Sequence, residues 1–219
     1  MEPLAVAMRP KTLDDFIGQG HLVGEGKPLR NAIAERHLFS FILWGPPGVG
    51  KTTLARIYAQ ALGAAFYELS AVSAGKDDIK KIVKDENANG VAMSGVNGVT
   101  IAGTVPRGTK PKVLFLDEIH RFNKAQQDFL LPYVETGLLT LVGATTENPS
   151  FEVIPALLSR CRVFVLNELL DDEMRKIIKR TSLKTKLKID KKATDWLVAM
   201  ANGDARQALS MLENTQKLY

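Results

Sequence analysis

The chain has 219 residues, 45% of them hydrophobic and 24% charged, with a formal net charge of +5. That length suits one domain, or one domain with a small second unit, and supplies enough apolar material for a core. No apolar run reaches membrane-span length, "MEPLAVAMRP" lacks the pattern of a secretory signal, and the lone Cys161 permits no internal disulfide, so an intracellular protein is expected.

Taken in chain order, "RPKTLDDFIGQ" (9–19) reads as an irregular lead-in to a helix. Four short runs rich in β-branched or aromatic residues then read as strands: "FILW" (41–44), "AFYEL" (65–69), "KVLFL" (112–116) and "LTLVG" (139–143). The buried-looking "VFVL" (163–166) makes a fifth. Helical periodicity falls between them, over 51–62 and 124–137. Strands apolar on both faces, alternating with helices, predict an α/β fold: a parallel five-stranded sheet flanked by helices.

From Asn167 the strands stop. Segments 171–183, 190–201 and 204–218 are helical in pattern, and each opens on Asp, a favourable residue at a helix start. The expected division is therefore an α/β domain over 1–166 and a small all-helical domain over 167–219. Segment 90–111, "GVAMSGVNGVTIAGTVPRGTKP", fits neither pattern. Asn97-Gly98 between alternating flanks signals an inserted β-hairpin, with a flexible loop as the alternative. The positive charge concentrates in "RKIIKRTSLKTKLKIDKK" (175–192), either a solvated helix face or a surface for an anionic polymer.

The chemistry sits in three strand ends. "GPPGVGKT" (45–52) matches GxxxxGK[ST] directly after a strand and opens a helix. The loop Gly45, Pro46, Pro47, Gly48, Val49 and Gly50 lets backbone N–H groups turn onto phosphates at the positive end of that helix. Lys51 is expected on the β- and γ-phosphates of a nucleoside triphosphate, Thr52 on Mg²⁺, and Thr53 alongside in the first turn. In "VLFLDEIH" (113–120) a buried strand delivers Asp117 and Glu118 at its carboxyl end. Asp117 is the second candidate to hold the metal, and Glu118 the general base that polarises the attacking water. His120 reads as a packed or hydrogen-bonded side chain. A third strand ends at "TENPSF" (146–151), where Thr146, and after it Asn148, could orient the water or sense the γ-phosphate; an ordinary strand-end cap is the alternative.

"PALLSRCRVFVL" (155–166) sets Arg160 at the edge of an apolar run with no acidic residue nearby in sequence. It is read either as a surface ion pair or cap, or as a side chain whose partner is another molecule.

Together these motifs resemble the AAA+ ATPases. "MRPKTLDDFIGQGHL", "FLDEIHRFNKAQQDFLLPYVE", "GATTENPSFEVIPALLSRCRVF" and "GDARQALSMLE" are similar to the replication-associated recombination protein A family, which includes the Werner-helicase-interacting ATPases. The resemblance implies that the helices after 167 form a lid. It also implies that Arg160 is a finger acting in the neighbouring subunit, with Arg162 the rival, and that Arg206 of "GDAR" reaches the γ-phosphate in cis. Arg9, Pro10, Ile17 and Gly18 would lie against the adenine.

The implied activity is DNA-dependent ATP hydrolysis in replication-fork maintenance, recombination or repair. DNA, single-stranded or forked, would be contacted mainly at phosphates, with a single-stranded-DNA-binding protein as a further partner. The compartment would be the bacterial cytoplasm or the eukaryotic nucleus. Family members continue into a carboxyl-terminal assembly region, so the implied homo-oligomer stands in doubt for a chain closing at Tyr219. A clamp-loader-type subunit and a nucleotide-gated scaffold with little turnover are the alternatives. The spacing of His21, His37 and His120 gives no metal site of its own.

Overall fold

In the computed structural model, residues 2–85, 100–101 and 110–218 are described, residues 100–101 and 216–218 by backbone alone. Five strands form one parallel sheet: β1 (Phe41–Trp44), β2 (Ala65–Ser70), β3 (Lys112–Asp117), β4 (Thr140–Thr145) and β5 (Arg162–Val165). Their order across the sheet is β2-β3-β4-β1-β5, with Trp44 opposite Thr145 and Leu116 opposite Gly143. The helices of nine or more residues are α1 (Lys51–Ala61), α2 (Lys76–Lys84), α3 (Lys124–Glu135), α4 (Asp171–Thr185), α5 (Lys191–Ala201) and α6 (Ala205–Leu218).

The central strands are apolar because both of their faces are covered. Successive side chains leave a strand on opposite sides. Phe41 and Leu43 therefore join Tyr58, Phe115 and Val142 in one core, while Ile42 joins Leu114, Leu116, Ile119 and Leu130 in the other. This double covering lines up the carboxyl ends of β1, β3 and β4, the ends that carry the three motifs.

The edges behave differently. β5 looks buried in sequence, yet Val163 and Val165 are 41% and 46% exposed, because among the described residues β5 pairs with β1 alone. Its bounds also fall one residue earlier than expected. The Asn97-Gly98 turn lies outside the described residues. Of that segment, Thr100 and Ile101 pair with His37 and Leu38 as a two-residue parallel ladder.

Helices α4, α5 and α6 close around a third core of Met174, Ile177, Ile178, Leu197, Val198, Ala208 and Leu209. Asp190 caps α5 through Ala193 N, and Asp204 accepts from Gln207 N in the first turn of α6. The amino terminus completes this core. Met8 is buried in it, and the Leu4 N–H donates to Glu213 Oε2 at 2.9 Å. Arg180 Nη1 donates to the Asp15 carbonyl, tying α4 to the lead-in. Among the described residues no helix is long and apolar enough to cross a membrane.

Candidate active site

A cavity of about 500 Å³ opens where the carboxyl ends of β1, β3 and β4 face the helical unit. Its phosphate-loop side is built by Pro47, Gly48, Val49, Gly50, Lys51, Thr52 and Thr53. Gly48 and Gly50 adopt φ of +70° and +99°, a region that excludes most side chains. The space around them excludes side chains too. A Cβ on Gly48 would stand 1.8 Å from Asp204 Oδ1, and one on Gly50 would stand 2.8 Å from the Phe16 ring. Gly50 offers α1 no side-chain cap, so the N–H groups of that first turn are left for a ligand, and the helix dipole favours an anion there.

Lys51 Nζ donates to the carbonyls of Gly45 and Pro46 at 2.7 and 2.8 Å. Burial pulls its ammonium below the ordinary lysine range. Arg206 adds to that pull, against the opposing fields of Asp117, Glu118 and Asp204. A bound polyphosphate would offset the same penalty by supplying negative charge. Burial, then the neighbouring Arg56, likewise lowers Arg9, which lines the cavity with Pro10 and Ile17.

Across the cavity stand Asp117, Glu118 and Thr146. Glu118 follows β3 in the left-handed region at φ +56°, a conformation that costs a residue with a Cβ about 1–2 kcal/mol. Packing holds it there: Ile119, fully buried, lies on Gly143 of β4, where a Cβ would meet Ile119 Cδ1 at 3.0 Å. The Glu118 N–H donates to Asp117 Oδ1 at 3.2 Å, and Glu118 Oε2 lies 3.3 Å from His120 Nε2. Thr146 is fixed through its carbonyl, which accepts from Trp44 Nε1. From the helical unit come Leu169, Ile177, Arg180, Ala205, Arg206, Leu209 and Ser210. With Met8 and Phe16 they make an end apolar enough to hold a planar base beside the charged end.

Thus Arg9, Pro10, Ile17, the loop from Pro47 to Thr53, Asp117, Glu118, Thr146 and Arg206 line one cavity. Five expected residues stand off it. Gly45 and Pro46 touch the site through their carbonyls on Lys51. Gly18 is a turn at φ +91° where a Cβ would strike Leu169 at 2.4 Å, a packing reason for glycine. Asn148 caps the Pro149–Glu152 turn by accepting from Ser150 N, the strand-end alternative.

Arg160 also lies off the wall. Its guanidinium pairs with Glu135 Oε1 at 2.5 Å and donates to the Ala156 carbonyl. Its carboxylate partner closes α3, 25 residues away, which is why local sequence showed none. Arg162 stacks over the Phe39 ring at 4.8 Å. Sequence reasoning missed Arg180, Asp204 and Phe16, whose only signal is spatial.

Thr52 and Asp117, hard oxygen donors lining the same cavity, fit a magnesium ion that keeps several waters. Among the described residues no group of three or more His, Cys, Asp or Glu side chains forms a metal cage, as such a phosphate-sharing site requires none.

A phosphate loop at a helix start, facing an acidic strand end in a parallel sheet, defines a P-loop nucleotide-binding protein. Residues 41–169 match the ATPase family associated with various cellular activities (AAA), and the chain belongs to that family. Within it the chain is 44% identical over 218 residues to replication-associated recombination protein A of Haemophilus influenzae, covering 96% of this chain and 45% of that protein. The Escherichia coli K12 protein of the same name is 41% identical, over 97% and 45%. ATPase WRNIP1 of Dictyostelium discoideum is 43% identical, over 96% and 23%. The chain thus spans less than half the length of these relatives. Among solved structures, the Thermotoga maritima RuvB Holliday junction branch migration motor is similar at a TM-score of 0.71 and 30% identity, over 96% of this chain and 65% of that one.

Proposed function

We propose that this chain is the ATP-hydrolysing unit of a protein that works on DNA during replication-associated recombination and repair. The observation that carries the reading is the convergence of Lys51, Thr52, Asp117, Glu118, Thr146 and Arg206 on one 500 Å³ cavity. Lys51 and the loop N–H groups hold the polyphosphate, and the apolar end under the helical unit holds the base. Arg206 and Thr146 contact the γ-phosphoryl from opposite sides. Glu118 accepts a proton from the attacking water as the bond to the leaving diphosphate breaks. Thr52 and Asp117 would hold magnesium, which when bound neutralises phosphate charge. Residues 167–218 act as a lid, since they complete the cavity wall.

Arg160 acts in a neighbouring subunit on this reading, exchanging Glu135 for a transferring phosphoryl, a contact worth roughly 10³–10⁵ in rate. The Glu135 pair also favours a second reading, a unit that binds ATP and turns over little while alone. For DNA, the support is the charge of 175–192, which holds nine of the chain's 29 Lys and Arg and one of its 24 acidic residues. Lys176, Lys179, Lys184, Lys186, Lys188, Lys191 and Lys192 are all exposed there. Phosphates are the contacts expected of such a surface. A single-stranded-DNA-binding protein is a fitting partner, and the compartment is the one that holds the DNA.

Steady-state ATP turnover against protein concentration, with and without single-stranded and forked DNA, tests this for the wild type and Arg160→Ala. The reading expects turnover that rises faster than linearly, is raised by DNA and is lost in the variant. Turnover proportional to concentration and indifferent to Arg160 supports the solitary unit.

A further inference from the structure

We propose that His120 is a positioning residue that aims the Glu118 carboxylate at the attacking water, and that Thr145 in turn sets His120. It holds only if Glu118 is the general base. The side chains form a line running inward from the cavity. Glu118 Oε2 lies 3.3 Å from His120 Nε2, and His120 Nδ1 lies 2.9 Å from Thr145 Oγ1. Thr145 Oγ1 accepts from Glu147 N at 2.9 Å and lies 3.2 Å from the Glu147 carbonyl. The Glu118 side chain is 36% exposed, that of His120 10%, and Thr145 is fully buried. Burial therefore increases away from the reacting end.

The carboxylate decides the tautomer. A neutral imidazole carries one hydrogen, so one ring nitrogen donates and the other accepts. Were Nδ1 the donor, the Nε2 lone pair would face a carboxylate oxygen and repel it. With hydrogen on Nε2, the N–H lies on the Glu118 side of the ring, 3.3 Å from Oε2, and the Thr145 hydroxyl donates its single hydrogen to Nδ1, the shorter of its two available contacts. The backbone fits this purpose. Glu118 sits at φ +56° and His120 in the 3₁₀ turn Ile119–Arg121, so the two side chains leave adjacent turns toward each other. Thr145 lies on β4 beside Thr146, and the same strand end thus supplies a cavity-wall residue and, one position earlier, the anchor of the base.

The test compares kcat, KM for ATP and nucleotide-analogue affinity in His120→Ala, His120→Gln, His120→Asn, Thr145→Val and Glu118→Gln, and in Glu118→Gln combined with His120→Ala. A misaimed base loses up to about 10²-fold in rate. We expect His120→Ala to lower kcat by about tenfold or more on that scale, with KM and analogue affinity within twofold. His120→Gln, whose amide nitrogen reaches the Nε2 position, should recover part of the loss, while His120→Asn should not. Thr145→Val, nearly isosteric, should lower kcat in the same direction, so folding failure of one variant leaves another to decide. In the Glu118→Gln background His120→Ala should change nothing further. Equal loss of kcat and affinity, or additive losses in the double variant, overturns the positioning role. Unchanged turnover in Glu118→Gln instead removes the general base itself, and His120 with it.

Discussion

Asp204 of the helical unit touches Gly48 of the phosphate loop, with so little room that a methyl group on Gly48 would overlap the carboxylate at 1.8 Å. The carboxylate also caps α6 by accepting from Gln207 N, so one side chain joins the start of that helix to the phosphate site. Arg206 lies two residues on, facing the same cavity. An anion entering the loop meets both charges: it is attracted by Arg206 and repelled by Asp204.

Gly48→Ala adds a clash to a backbone at φ +70°, a conformation that costs Ala about 1–2 kcal/mol. If the free variant loop relaxes to escape that cost, regaining the phosphate-holding shape lowers affinity by about a factor of ten. Titration of a fluorescent ATP analogue should show at least this loss, with the thermal midpoint falling less than expected for a core defect. Affinity equal to wild type would mean that the loop reshapes freely.

Arg160→Ala should leave analogue affinity unchanged, because Arg160 does not line the cavity. The pair it forms with Glu135 is between half-exposed side chains, 39% and 45%, and such pairs contribute about 0–1 kcal/mol. Denaturant unfolding should therefore shift little. A shift several times larger would make the ion pair structural and weaken the case for a side chain held in reserve.

DNA affinity should fall steeply with salt, and less steeply once lysines of the exposed run are removed. For Lys188, Lys191 and Lys192 together, all changed to Ala, the slope of log affinity against log salt on a duplex should flatten by about 2.7 if each meets a phosphate. Anisotropy titrations at several salt concentrations give that slope. An unchanged slope would return the run to the solvated helix face.

Cys161 packs against the core beside Leu157 and Leu158, and burial pushes its thiol up to about 12. Since the thiolate is the nucleophile, the folded chain should be nearly inert to an aromatic disulfide reagent at pH 8, and reaction should track unfolding by urea. With a raised pKa the neutral thiol persists through neutral pH, and reactivity appears only as pH climbs toward that value. Rapid labelling at pH 8 without denaturant would contradict the burial.

The strands and the three motifs were legible because they depend on local pattern. "FILW", "KVLFL" and "LTLVG" had to be buried on both faces, and an acidic pair at the end of one of them had one place to go. Partnerships across the fold were not legible. Glu135 and Arg160 are 25 residues apart, Asp204 and Gly48 are separated by most of the chain, and Met8 enters a core built by residues after 168. β5 misled for the same reason, since only the order of strands shows which one lies at an edge. His120 reads in sequence as a packed or hydrogen-bonded side chain, and its neighbours, Glu118 and Thr145, emerge only once β3 and β4 lie side by side.

The most direct test of the central claim is binding and turnover of ATP with magnesium by the wild type, Lys51→Ala and Glu118→Gln, measured side by side. The account predicts tight binding lost in Lys51→Ala, and binding kept in Glu118→Gln with turnover reduced about 10²–10⁴-fold. Binding unaffected by Lys51→Ala, or hydrolysis undiminished in Glu118→Gln, would contradict it.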